Sequence, residues 1–298
     1  MRFTLWIVVA LLSALLEGCS ALRLTYPQAD VFLSWRARTY FDLDRDQRQD
    51  FGTRLERLLA WHRYEQLPDY AAFLTTAIAK AEPGLKREDI LWFVDGISTR
   101  YRVIVNRASP DAAEVLATIT PDQIGALQKQ LDKDNPKYVS ENELNEKPDR
   151  RKHARLKKTV SQIEDWTGSL THEQERKVAT LLEPIPLIEH LRYQDRLRRQ
   201  HEFVELLKQR QSKDFEPRLR QWLIEWDHGR TPEYSQLAKQ VFDQRVGFYI
   251  AVEKILTPDQ RQTFISRMQK FADDCKSLSA RPGSSAALPL DTAIALLE

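Results

Sequence analysis

Four short stretches of this chain start a helix in the same way, and they constrain its fold more than any other feature. They read LDRDQ (Leu43–Gln47), ITPDQ (Ile119–Gln123), LTHEQ (Leu170–Gln174) and LTPDQ (Leu256–Gln260). Each sets a capping residue, Asp44, Thr120, Thr171 or Thr257, three positions before a glutamine, Gln47, Gln123, Gln174 or Gln260. That is a capping box. The side-chain oxygen accepts from the amide at the third helical position, and the glutamine reaches back to the amide of the cap. Pro121 and Pro258 stand at the first helical position, where the missing N–H has no intrahelical partner to lose. Asp46, Asp122, Glu173 and Asp259 lie at the positive end of the helix dipole. On this reading the glutamine supplies only the returning half of the box, so its truncation should cost less than truncation of the cap.

The residues downstream agree. Phe51, Leu127, Val178 and Phe264 follow the glutamines by four, and Leu55, Leu131, Leu182 and Met268 follow by eight. Four helices thus begin with the same chemistry and bury the same face. Helical periodicity runs through nearly all the rest. YRVIVN (Tyr101–Asn106) is a short strand candidate, but it sits inside a helical pattern that begins at Asp89. The expected fold is all-α, a helical bundle.

The glutamines are 76, 51 and 86 residues apart, too uneven for a solenoid. Matching the first with the third and the second with the fourth gives offsets of 127 and 137, which a duplicated half would produce. The expected organisation is a first helical half over 42–131, a linker over 132–150, a second half over 151–278 and a mobile tail over 279–298. The linker rests on two prolines, three asparagines and little apolar content between Asp132 and Arg150.

The N-terminus differs from everything that follows. Phe3–Leu16 is apolar except for Thr4 and Ser13, too short to span a bilayer and suited to a secretory signal over 1–18. Leu16-Glu17-Gly18-Cys19 resembles the lipobox of bacterial lipoproteins, although Glu17 departs from the small or apolar residue usual there. The resemblance implies that Cys19 becomes an acylated N-terminus, followed by a lipid-anchored segment over 19–41. Ser20 stands where an aspartate would imply inner-membrane retention, so the expected site is the outer membrane, facing the periplasm. A cleaved signal peptide with a chance cysteine is the alternative. Trp35, among arginines and aromatics sixteen residues after Cys19, suits a membrane interface.

With Cys19 acylated, the second cysteine, Cys275, has no partner in the chain. It follows Phe264, Met268 and Phe271 at helical spacing and is expected to be a buried thiol. Six histidines form no metal-ligand pair at i, i+4, and no hydrolase, phosphate-loop or dinucleotide fingerprint is present. No metal, no cofactor and no enzymatic activity are expected. DRRKHARLKK (Asp149–Lys158) gathers Arg150, Arg151, Lys152, Arg155, Lys157 and Lys158, and RYQDRLRR (Arg192–Arg199) adds four more cations. The first run is a candidate surface for anionic lipid or an acidic protein; the alternative is a solvated helix face. Nucleic acid is not an expected partner of an exported chain.

Two further resemblances follow. The boxes are similar to the Leu-Thr-x-x-Gln signature of small periplasmic helical stress proteins of the Spy/CpxP type, which implies an ATP-independent chaperone or signalling modulator. More broadly, LTYPQADVFLSWRARTYFDLDRDQ (Leu24–Gln47), LLAWHRYEQLPDYAAFL (Leu58–Leu74) and EDWTGSLTHEQ (Glu164–Gln174) resemble an uncharacterised proteobacterial lipoprotein family, the domain of unknown function numbered 6279. That likeness implies a lipid-anchored helical protein and supplies no catalytic residues. Together these readings favour an interaction or chaperone-like protein with an envelope protein partner. A structural envelope component with one fixed partner is the alternative, and a cell-envelope hydrolase a weaker one.

Overall fold

Each of the four boxes is followed by a helix, and the helices between them complete an all-α fold in a computed structural model that describes residues 21–280. The order is α1 (Ala21–Thr25), a 3-10 turn (Tyr26–Gln28), α2 (Ala29–Phe41), α3 (Arg45–Trp61), a π turn (His62–Gln66), α4 (Leu67–Ala81), α5 (Arg87–Ala117) and α6 (Pro121–Glu141). Then come α7 (Pro148–Thr167), α8 (His172–Leu182), α9 (Glu189–Lys208), α10 (Phe215–Ile224), α11 (Pro232–Ile255) and α12 (Pro258–Ser279). YRVIVN lies within α5. Met1–Gly18 and Cys19 fall outside the described residues, as does the expected tail from residue 281.

The π turn has a local cause. Pro68 has no N–H to offer the carbonyl four residues back, and its ring crowds that turn. The chain widens instead, and the Leu67 N–H bonds the His62 carbonyl five residues back. A mid-helix bulge of this kind re-aims the side chains on either side of it. Beyond it, α4 packs along α12.

Two expected boundaries move. The linker over 132–150 shrinks to Asn142–Lys147, because α6 runs unbroken through Pro136 to Glu141. Tertiary contacts hold that stretch helical. Asn135 is buried against Gln200 and Arg196 of α9, and Tyr138 stacks on Tyr193 with ring centroids 5.5 Å apart. Nor does the first half have a core of its own. Tyr40 of α2 and Leu43, Ile119, Ile124 and Leu127 of the first half pack with Val204, Leu207, Phe215 and Leu219 of α9 and α10. Leu74 and Ile78 of α4 pack with Met268 and Ala272 of α12. A second-half core of Leu170, Val178, Leu182, Tyr234, Phe248 and Val252 completes the interior. The helices between the third and fourth boxes therefore cover the first pair of boxes, which a division at residue 150 does not anticipate.

Candidate functional site

All four capping boxes form, with both hydrogen bonds present in each. The Gln47 N–H donates to Asp44 Oδ1 at 2.9 Å, and the Asp44 N–H donates to Gln47 Oε1 at 3.0 Å. The threonine boxes repeat this, with the cap N–H to glutamine Oε1 at 2.8 to 2.9 Å. A capping box uses only one lone pair of the glutamine, however, and leaves both hydrogens of its amide free. The fold uses all of them.

The boxes are paired. Gln47 faces Gln123, and each Nε2 donates to the other's Oε1, at 3.1 and 2.6 Å. Gln174 faces Gln260 in the same reciprocal way, at 2.7 and 3.1 Å. The remaining hydrogen of each amide goes to a carbonyl at the end of the helix that enters the partner's corner. Gln47 donates to Thr118 O at 3.1 Å, Gln123 to Asp42 O at 3.0 Å, Gln174 to Ile255 O at 2.8 Å and Gln260 to Ser169 O at 2.8 Å. In every case that carbonyl stands two residues before the partner's cap.

The physical reason lies in helix ends. The first amides and last carbonyls of a helix lack intrahelical partners, and burying them unpaired is costly. Each corner brings one helix C-terminus and one helix N-terminus together within four residues. One glutamine amide accepts from the orphan N–H of its own helix and donates to an orphan C=O of the facing corner. Two such amides locked to each other satisfy all eight of their own valences in a buried space, where each glutamine is only 6 to 8% exposed. The glutamine is thus a two-sided clamp, and the reading that it supplies only the returning half of the box is corrected. The sequence does hold one signal for this. Glutamate would serve the capping box and suit the helix dipole better, so glutamine in all four boxes marks a need for the amide hydrogens.

The basic run over 149–158 is not one surface. Arg151 is buried and donates to Glu189 Oε2 at 2.9 Å. Arg155 turns inward to the end of α8, donating to the carbonyls of Leu182, Ile185 and Pro186. Burial holds its pKa below the usual arginine value, with Glu189 acting in the opposite direction. Arg150 lies beside Glu146 at 3.4 Å, and Lys152, Lys157 and Lys158 are exposed. The anionic-surface candidate therefore loses Arg151 to the Glu189 carboxylate and Arg155 to uncapped helix-end carbonyls, neither of which a sequence count of charges shows. The second run behaves likewise. Arg199 lies over the Trp222 ring at 3.7 Å and donates to Trp222 O, and burial brings its pKa down to about 10. Arg198 binds the buried Asp195 at 2.6 Å, with Arg230 on its other side.

At the π turn, a second cluster joins the N-terminal segment to the body. The Tyr26 hydroxyl and His62 Nδ1 are 2.9 Å apart, and Tyr70 meets the His62 ring edge-on. Leu22, Tyr26, Leu67, Ala71 and Cys275 pack around them. Burial lowers the His62 pKa to about 4 and raises Tyr26 and Cys275 to about 12, so all three are neutral near pH 7. The Cys275 thiol is buried, at a position where thiolate chemistry is suppressed.

Among the grooves that the described residues leave open to solvent, two have mixed polar and apolar linings. One, of about 610 Å³, runs between Arg23, Ile78, Glu82, Ile265 and Asp273. The other, of about 470 Å³, has Leu181 and Ile255 at its floor and Arg176, Lys177 and Lys254 at its rim. The Asp165 carboxyl is held above its usual value, chiefly by desolvation and against the pull of Arg267. Its neighbour Glu164 caps the Leu170 N–H at 2.9 Å. Among the described residues no group of three or more His, Cys, Asp or Glu is arranged to hold a metal ion. No described helix is long and apolar enough to cross a membrane.

No curated protein and no solved structure matches the chain. The model of a family of unknown function, DUF6279, matches residues 39–235, which include both glutamines of the first pair and Gln174 of the second. With two thirds of its length under that match, the chain belongs to the DUF6279 family.

Proposed function

We propose that this protein is a lipid-anchored, non-catalytic helical interaction protein of the outer membrane, facing the periplasm. The observation that carries the non-catalytic reading is where its buried polar groups go. The four glutamines, Arg155 and Arg199 are bonded to helix-end carbonyls, and Arg151 and Asp195 to internal ion pairs. These groups hold helices together, whereas a catalytic site gathers such groups in a cleft with shifted pKa values. The anchor reading rests on the Leu16–Cys19 motif. In the Cys19→Ser variant, mass spectrometry should find no acyl chains, and the protein should appear as full-length precursor or in the soluble fraction. Unchanged mass and unchanged membrane retention would refute the anchor.

Two modes of interaction differ in what the surface must offer. A chaperone-like protein needs a broad apolar face, with contiguous patches well above about 400 Å². Outside α1 and α2 the exposed large apolar residues among those described are Leu91, Val94 and Val103 on α5, Leu197 on α9, and Phe242 and Tyr249 on α11. The second reading, one fixed envelope partner, needs no face of that breadth. Crosslinking in intact envelopes followed by pull-down should then recover a single dominant partner. Near-stoichiometric suppression of aggregation of a reduced model substrate, without ATP and little weakened by salt, would instead establish the chaperone mode.

A further inference from the structure

The N-terminal helices have two unlike faces, and only one of them is used by the fold. Leu22 and Tyr26 are buried among Leu67, Ala71 and Cys275, and Arg23 binds Asp274 at 2.5 Å. Further along, Ala37, Tyr40 and Phe41 pack into the core beside α6. The other face is apolar and open. Leu24 is 68% exposed, Val31 66%, Phe32 51% and Trp35 46%. On α2, Val31, Phe32, Trp35 and Thr39 fall within an arc of about 100° that carries no charge. The Phe32 and Trp35 rings lie 6.0 Å apart, and the Arg36 guanidinium lies 5.8 Å from the Trp35 ring. Asp30 is the one acidic residue of this helix, which also carries Arg36 and Arg38.

We infer that this face lies in the membrane interface, so that α1 and α2 form the foot on which the protein stands. The inference deepens the lipid-anchor reading and rests on it. Cys19 is two residues before Ala21, which leaves the anchor within about 7 Å of the start of α1. Because α1 is clamped to the body, the surface beside the anchor has to face lipid. Phe32 is then only about 17 Å along the same surface. A helix in the interface plane buries its apolar side at the headgroup boundary, with Trp at headgroup depth and cations toward anionic lipid. A second copy of the chain is a poorer occupant. Four side chains provide a few hundred Å², against about 800 Å² per partner in a stable dimer.

The test uses the lipidated full chain in phosphatidylethanolamine/phosphatidylglycerol vesicles, with environment-sensitive fluorophores on Phe32→Cys, Trp35→Cys and, as a control, Tyr249→Cys on α11. Cys275 is buried, so labelling is confined to the introduced thiols. Lipids brominated on their chains should quench the labels at 32 and 35 at least threefold more than the label at 249. Equally weak quenching at all three sites, with the protein still sedimenting with vesicles, would overturn the inference and leave the anchor standing. If the chain proves unacylated, the same labels are placed in a Cys19→Ser background, which keeps labelling confined to the introduced thiols, and are read after adding the chain to vesicles. Selective quenching at 32 and 35 would then sustain the face without the anchor, and its absence would overturn the face. Shielding without lipid quenching, lost on dilution or on removal of residues 281–298, would assign the face to a second copy or to the tail and also overturn it. Phe32→Glu/Trp35→Glu should melt like the parent, since both side chains are already exposed, while a label at Val31→Cys loses its quenching.

Discussion

The two glutamine corners share every central hydrogen bond and differ in what supports them. In the corner of Gln174 and Gln260, the added support comes from the helices that meet there: Arg261 donates to Glu253 O, and Arg267 of α12 donates to the carbonyls of Glu164 and Asp165 near the end of α7. In the corner of Gln47 and Gln123, it comes from afar. Arg210, at the end of α9, donates to Ile119 O at 2.6 Å, and Gln211 donates to Ala117 O at 2.7 Å. Phe203, Trp222 and Leu223 pack against the same core. The second corner is thus assembled by the helices that enter and leave it. The first is completed by an excursion of the chain between the third and fourth boxes. One hydrogen-bond motif serves both settings because it satisfies its own helix ends and asks nothing further of its surroundings.

The comparison breaks most sharply if a glutamine loses its donor. Gln123→Glu or Gln174→Glu keeps the shape but aims a carboxylate at a carbonyl and at the partner's Oε1. Either should cost about 3–5 kcal/mol at neutral pH, the range for an unpaired buried charge. The folded site raises the pKa of the introduced acid above its unfolded value. The deficit is therefore largest above that folded pKa and shrinks as pH falls through it, because the neutral acid can donate again. Urea midpoints across pH 4–8 read both the size and the sign.

Truncation comes next. Gln123→Ala or Gln174→Ala strands a cap N–H and a helix-end carbonyl and should cost about 2–4 kcal/mol. Arg210→Ala should cost about 1–3 kcal/mol, because Ile119 is buried and its carbonyl loses a charge-assisted donor. Arg261→Ala, at an exposed site in the other corner, should cost less. Thr171→Ala or Thr257→Ala should cost about 0.5–2 kcal/mol, the ordinary value of a lost cap. Thermal or urea unfolding ranks the series, and threonine variants less stable than glutamine variants would reverse it.

The helices and their starting points were legible because a capping box and the apolar residues after it form a code within eight residues. Cys275 was legible for the same reason, lying on the helical stripe of Phe264, Met268 and Phe271. The pairing of Gln47 with Gln123 was not, since it joins residues 76 apart and follows from amide valences left over after capping. Asn135 and Pro136 looked like a linker because local propensity disfavours helix there, and contacts with α9 override it. Arg151 and Arg155 read as surface charge because composition does not show which carboxylate or uncapped carbonyl a long side chain can reach. The exposed face of Phe32 and Trp35 was only half legible: Trp35 stood out, but the burial of Leu22 and Tyr26 that orients the face needed the fold.

A double-mutant cycle puts the clamp itself to the test. Gln47→Ala and Gln123→Ala, measured singly and together by urea unfolding, should show a coupling of about 1–2 kcal/mol, since the second truncation removes a group already deprived of its partner. Gln47→Ala with Gln174→Ala, one from each corner, should be additive within about 0.5 kcal/mol. Additivity within the first pair would contradict the paired clamp and reduce the four motifs to separate helix caps.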